Sequence, residues 1–224
     1  MAQARRASRS RTKGTQRAAS ARGKRDAILL TAASLFGEQG YEDGKWSDVA
    51  AAVGVGSTAL YHYFESKLHC LYVIMAEALE AFLDDFQRIT AEHEDYAAAL
   101  VAALWAGYDL SESEVLRMRV LVAQQGLLGI PRRSPREEEA RELARARTRD
   151  LELAWATFVV RGMEQGVLPE ADPRLLTRAV LGLNTSVWHW YRPRGEHSLD
   201  AVADFFVRRQ LEVLGLSPEL ADRR

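Results

Sequence analysis

One cysteine, Cys70, stands in 224 residues. That excludes an internal disulfide and a cysteine-based zinc site, and a reducing cytoplasm is the expected compartment. Proline is scarce, with six residues, and the 15 glycines follow no period, so collagen-like and proline-rich chains are excluded. No apolar run approaches the ~20 residues of a membrane-spanning helix. Tyr96 to Tyr108, free of formal charge, has the length of a core helix instead. The N-terminal segment lacks the apolar stretch of a secretory signal, so no export is expected. Catalytic patterns are missing as well. His62, His69, His93, His189 and His197 show no metal-ligand spacing. Neither a Gly-x-Ser-x-Gly elbow nor a Gly-x-x-x-x-Gly-Lys phosphate loop occurs. Glu137, Glu138 and Glu139, beside Arg136, read as a solvated helix face rather than as paired catalytic acids. No enzyme, metal or cofactor is therefore expected.

What is present is a chain 47% hydrophobic and 27% charged, long enough to bury a core in one large domain or two small ones. Its net charge of −1 conceals an asymmetry. Residues 1–25 carry nine basic side chains (Arg5, Arg6, Arg9, Arg11, Lys13, Arg17, Arg22, Lys24, Arg25) and no acid. The remainder holds 21 basic residues against 31 acids, a balance of −10. A basic arm on an acidic body suits a polyanionic partner, and DNA, RNA and an anionic membrane all satisfy it. A solubilising tail has the same composition.

Residues 1–20 have no apolar period and read as disordered. From Arg22 onward helical spacing takes over. Ile28, Leu29, Ala32, Leu35 and Phe36 mark a first helix ending at Gly40, and Trp46, Val49, Ala50 and Val53 a second stopped at Gly54. Ser57 to Phe64 forms a third. A long helix from Ser66 runs past Phe82, with Leu68, Leu71, Tyr72, Met75, Leu79, Phe82 and Phe86 on one stripe. Further helices are expected near 94–109, 112–128, 136–166, 173–192 and 198–214. No run alternates with period two over a strand's length, so no sheet is expected.

The stretch from Trp46 to Phe64 is a helix, a glycine-containing turn and a second helix. Ala50, Ala51 and Ala52 permit close helix approach, and Gly54 suits the left-handed conformation of a sharp turn. Val55, Leu60 and Phe64 are the inward anchors. Ser57, Thr58, Ala59, Tyr61, His62 and Tyr63 remain for the other faces. A short helix spanning ~12 Å fits a major groove, and hydroxyls at its start reach base edges or phosphates. Tyr61 and Tyr63 also suit packing, and His62 plain solvent exposure.

These residues resemble the DNA-binding domain of the tetracycline-repressor (TetR) family of bacterial regulators. The resemblance covers residues 24–75, and it is carried by Leu35-Phe-Gly-Glu-Gln-Gly-Tyr41, Asp48-Val-Ala, Val53-Gly-Val-Gly and above all Ala59-Leu-Tyr-His-Tyr-Phe-Glu-Ser-Lys67. It implies an all-α homodimer, with an N-terminal three-helix helix-turn-helix DNA-binding domain joined to a C-terminal helical ligand-binding and dimerisation domain. Position by position it implies base or backbone contacts for Ser57, Thr58, Ala59 and His62. Phosphate contacts follow for Tyr61, Tyr63 and Lys67, and a backbone contact for Lys45. Gly44 stands where the family often has Thr, Trp46 where it has a small aliphatic, and Gly56 where it has Ser. The last change would shift the helix cap onto Ser57 and withdraw that residue from base readout. Residues 26–67 hold six acids against Lys45 and Lys67, so the arm is expected to supply much of the phosphate attraction. The expected division is 1–21 for a disordered basic arm, 22–68 for the DNA-binding domain and 69–224 for the ligand-binding and dimerisation domain.

A second resemblance lies at Gly182 to Gly215, in Asn184-Thr-Ser-Val-Trp-His-Trp-Tyr-Arg-Pro-Arg-Gly and the helix after Ser198. It is to TetR-family regulators of fatty-acid and steroid catabolism, and it implies a lipophilic effector such as an acyl-CoA thioester. A multidrug-type regulator of hydrophobic compounds and a constitutive DNA-binding protein are the alternatives. The stripes Leu176, Val180, Leu183, Val187 and Val202, Phe206, Arg209, Val213 suit a four-helix dimer interface. Trp105, Tyr108, Met118, Gln124, Trp155, Phe158, Asn184 and Trp188 combine apolar bulk with polar tips, as ligand cavities do, and each aromatic among them equally suits a core. The expected partners are a double-stranded DNA operator, a second copy of the chain and the small effector, with no membrane.

Overall fold

The computed structural model describes residues 22–223. The arm expected over 1–21 lies outside the described residues. Among those described, the chain is all helix and turn, with no strand. Helix α1 covers residues 22–39, α2 Trp46–Val53, α3 Ser57–Tyr63 and α4 Lys67–Glu92. Then come α5 Tyr96–Ala106, α6 Glu112–Ala123, α7 Pro135–Glu164, α8 Pro173–Trp190 and α9 Leu199–Val213. Short 3-10 turns fill Gln125–Gly129 and Pro218–Arg223.

Local chemistry sets most of these boundaries. The side chain of Ser66 accepts the His69 N–H at 2.9 Å and starts α4, and Asp95 accepts the Ala98 N–H at 2.8 Å and starts α5. Ser111 and Glu114 form a reciprocal capping box on α6. Asp172, followed by Pro173, caps α8, and Ser198 caps α9. Gly54 ends α2 with φ 71° and ψ 37°, a left-handed conformation that a side chain would disfavour.

Two hydrophobic cores share one helix. The first joins Ile28, Phe36, Val49, Leu60, Phe64, Leu71 and Met75 to Val120 of α6 and Ala140 and Ala144 of α7. The second is built from α4 to α9 around Leu100, Leu104, Tyr108, Trp188, Val207 and Leu211. Helix α4 supplies Cys70 to Ala76 to the first core and Ala78, Leu79 and Phe86 to the second. One rigid rod therefore enters both.

The stripes expected to meet a second copy face partly inward. Val180, Val187 and Val202 are buried among the chain's own helices, because α8 and α9 each carry apolar residues on two sides and periodicity does not say which side turns home. The outward side of this pair carries Leu175, Trp190, Phe205 and Val213, exposed by 63, 47, 57 and 40%.

Candidate nucleic-acid interface and cavity

The first core orients α3. Leu60 and Phe64 point inward and are fully buried, so the opposite side of this short helix faces solvent. Ser57, Thr58, Tyr61 and His62 lie there exposed, with Ala59 and Tyr63 half-buried beside them. The helix starts at Gly56, which occupies the N-cap with no side-chain cap bond. The expected shift of the cap onto Ser57 does not occur: Ser57 is the first helical residue and its hydroxyl is not used in capping. Lys45 is exposed at the N-cap of α2. Gly44 is demanded by packing, since a Cβ there would stand 2.8 Å from the Phe36 ring. Trp46 lies edge-on to Phe64 with centroids 6.4 Å apart, which accommodates the larger side chain in the first core.

Lys67, expected to meet phosphate, already has partners within the chain. Its ammonium donates to the carbonyls of Tyr41 and Glu42 and lies over the Tyr41 and Phe36 rings at 4.2 and 5.2 Å. Burial lowers its pKa, against the opposing pull of Glu42 and Asp43. Its position just inside α4 turns the ammonium towards the loop after α1. Arg22, Arg25, Asp26, His62 and Tyr63 line a shallow groove beside α3. Arg25 is held there by Glu77 at 3.0 Å and by the Phe64 ring at 5.6 Å, whereas Arg22 is exposed. The N-terminal end of α7 braces the exit of α3: Ser134 donates to the Glu65 carboxylate, and Arg136 to the Tyr63 carbonyl at 3.5 Å.

The second core contains a partly open cavity of about 430 Å³ lined by helices α4 through α9. That volume lies in the range of small-molecule sites. Leu79, Phe82, Phe86, Ile89, Leu104, Leu121 and Leu181 form much of its wall. Of the residues expected to contact a ligand, Met118, Trp155 and Asn184 line it, and Trp105, Tyr108, Gln124, Phe158 and Trp188 do not. Trp105 turns its indole N–H to the Ala221 carbonyl at 3.2 Å. Tyr108 and Trp188 are fully buried in the core, with centroids 6.0 Å apart. Phe158 stacks on Tyr96 at 4.5 Å, and Gln124 closes the C-terminus of α6, leaving Gln125 on the cavity lining. Residues on different helices with the same composition are separated here by which way each helix is rotated.

Sequence reasoning missed Gln210, Arg117 and Arg178, which also line the cavity. Gln210 carried a signal, an amide set between Val207 and Leu211 on the apolar side of α9. Among the described residues neither Arg117 nor Arg178 has an ion-pair partner, while Arg88 is paired with Asp85 and Glu92. Asp109, Glu114 and Glu152 stand on the same lining. No three His, Cys, Asp or Glu side chains among the described residues come together as a metal site, and none of the described helices is long and apolar enough to cross a membrane.

Comparison with known proteins fits this arrangement. Residues 28–71 match the family model described as bacterial regulatory proteins, tetR family, and residues 114–214 the one described as tetracyclin repressor-like, C-terminal domain. The chain is 30% identical over 204 residues to the HTH-type transcriptional repressor KstR2 of Rhodococcus jostii (strain RHA1), covering 86% of this chain and 91% of that one. The chain belongs to the TetR family. It is thus a DNA-binding regulator and not an enzyme. Among solved TetR-family structures, PfmR of Thermus thermophilus is 32% identical with a TM-score of 0.67, over 84% of this chain and 97% of that one. AibR, solved in complex with isovaleryl coenzyme A and operator DNA, shares the fold at 22% identity and a TM-score of 0.69, over 87% of this chain and 98% of that one.

Proposed function

We propose that this TetR-family protein is a homodimeric repressor that a lipophilic effector, an acyl-CoA thioester, releases from a pseudopalindromic operator. One observation carries the reading: α4 starts directly behind the recognition helix and ends as a wall of the cavity. Residues 22–68 form the reading head in this scheme and 69–224 the effector-binding and dimerisation part. Lys45, Ser57, Thr58, Ala59, Tyr61, His62 and Tyr63 contact DNA. Two heads enter successive major grooves ~34–36 Å apart. An effector that fits the cavity better in one conformer shifts the population towards that head spacing, and only unequal affinity for the two conformers achieves this.

Several features support the finer parts. The relatives named KstR2 are repressors, and AibR is a protein of this fold solved with a coenzyme A thioester and its operator. The cavity is mainly apolar, as an acyl chain requires, and the unpaired Arg117 and Arg178 suit the phosphates of the coenzyme A part. Leu175, Trp190, Phe205 and Val213 offer an exposed apolar face on α8 and α9 for a second copy. Such a regulator works in the cytoplasm beside its DNA. A second reading, a hydrophobic cation as effector, is favoured by Asp109 and Glu152 on the same lining.

The test is binding to DNA from upstream of its own gene, at stated salt, with a panel of acyl-CoAs and a panel of hydrophobic cations. Specific binding reversed by one thioester supports the proposal. Reversal by cations alone replaces the effector class, and binding indifferent to both panels overturns effector control.

A further inference from the structure

Two side-chain amides face the otherwise apolar inner wall of the cavity, and we propose that Asn184 and Gln210 read a ketone or hydroxyl oxygen carried on the effector's apolar body. The inference rests on the cavity being the effector site. Gln210 lines the cavity yet is only 1% exposed. Its Nε2 donates to the Val180 carbonyl at 2.9 Å, and its Oε1 accepts the Tyr108 hydroxyl at 3.3 Å. Asn184 Nδ2 donates to the Gly107 carbonyl at 3.1 Å, and its Oδ1 accepts the Trp188 indole N–H at 3.4 Å. A primary amide has two N–H donors and two acceptor lone pairs. Gln210 therefore keeps one N–H and one lone pair beyond these bonds, while Asn184, whose amide also serves the Tyr108 phenol, keeps a lone pair.

The surrounding structure is shaped to this arrangement. A Cβ on Gly107 would stand 2.6 Å from Asn184 Nδ2, so the chain is glycine where the amide must approach. Burial pushes the Tyr108 phenol well above its ordinary range, against the opposing pull of Asn184, which keeps it a donor to Gln210. Two hydroxyls on the lining are already turned away, Thr148 donating to Ala144 and Thr185 to Gly182, each on its own helix, and Gln125 lies exposed at the rim. An apolar side chain of the same shape would avoid the desolvation cost of a half-used amide, and that cost is recovered when a ligand oxygen takes the free N–H. The amides thus favour an oxygenated apolar body over the plain hydrocarbon of the same size.

The experiment is calorimetric titration of the full-length protein with acyl-CoAs of one chain length, unsubstituted or bearing a keto or hydroxyl group at successive carbons. Operator release is followed in parallel, and Asn184→Leu and Gln210→Met are compared. At least one oxygenated ligand is expected to bind about tenfold or more tighter than the parent, because a site built to pair an oxygen penalises its absence. Each substitution should reduce the ratio of oxygenated-ligand to parent affinity, whatever it does to the parent's own affinity. Equal binding across the series overturns the inference and leaves the effector reading standing. A preference that survives both substitutions also overturns it. Failure of every member to bind removes the effector reading and the inference together. Where a substituted protein does not fold, the wild-type comparison of parent with oxygenated ligands decides alone.

Discussion

Gly37 of α1 lies directly against Leu116 of α6, so closely that a Cβ on Gly37 would stand 2.7 Å from the Leu116 Cβ and 2.9 Å from its Cα. The next two residues of α6, Arg117 and Met118, line the cavity. The reading head and the cavity wall are therefore adjacent on a single helical turn. Leu116 meets the head through backbone as well as side chain, so this contact yields less readily than a flexible one. Gly37→Ala should force α1 and α6 apart, at a cost of roughly 1–3 kcal/mol for overpacking. Operator affinity should fall while effector affinity holds. Unchanged operator affinity in a folded variant would show that this contact does not position the head.

The two lysines of the head should separate in a salt titration. Lys45→Ala is expected to reduce the salt slope of operator binding by about 0.9, the value of one phosphate contact. Lys67→Met should instead lower the melting temperature and leave the slope alone, because its ammonium serves Tyr41 and Glu42. A reduced slope for Lys67→Met would restore it to the DNA contacts.

The basic arm makes a larger electrostatic prediction. Deleting residues 2–20 should weaken operator binding and flatten its salt dependence by about 0.9 for each phosphate that the arm neutralises. An unaltered slope would assign the arm no part in DNA binding.

His69 introduces a pH dependence. Burial, with Arg136 nearby, holds its imidazole below the ordinary value of 6.5, and its Nδ1 accepts the Glu65 N–H at 3.3 Å. Protonating Nδ1 would end that bond. The unfolded chain takes up the proton at the ordinary value, so it binds more protons than the folded chain as pH falls below 6.5. The contribution to stability is complete above that pH and declines as pH drops towards the folded value. His69→Asn, which keeps an acceptor and does not titrate, should flatten this part of the profile. Denaturant melts at about pH 7.5 and 5.5 measure it, and identical losses in both proteins would clear His69 of the role.

Phe205 is 57% exposed on α9, edge-on to Phe206 at 5.4 Å and under Arg209 at 5.6 Å. Phe205→Glu should convert a dimer to monomers in sedimentation, with specific operator binding abolished, because one head reads only half a palindrome. A dimer that persists would place the subunit contact elsewhere.

Much of the head was legible in sequence because its determinants are local. The spacing of Leu60 and Phe64 placed both inward, Gly54 marked the turn, and Ser66 marked the start of the long helix. The cavity was legible only in part. Met118, Trp155 and Asn184 line it, whereas Tyr108 and Trp188 are equally aromatic and lie in the core. Composition cannot separate those cases, since both settings ask for apolar bulk with an occasional polar tip.

The amino-acid sequence by itself determined an all-helical chain, the helix-turn-helix and the family, because periodicity, caps and turn residues act within a few positions of one another. Tertiary structure alone decided that Lys67 turns back to the α1–α2 loop, that Val180 and Val187 face home while Phe205 faces out, and that Gln210 reaches the cavity. Each of those outcomes depends on how one helix is rotated against another, and that rotation is set by contacts between residues far apart in the chain.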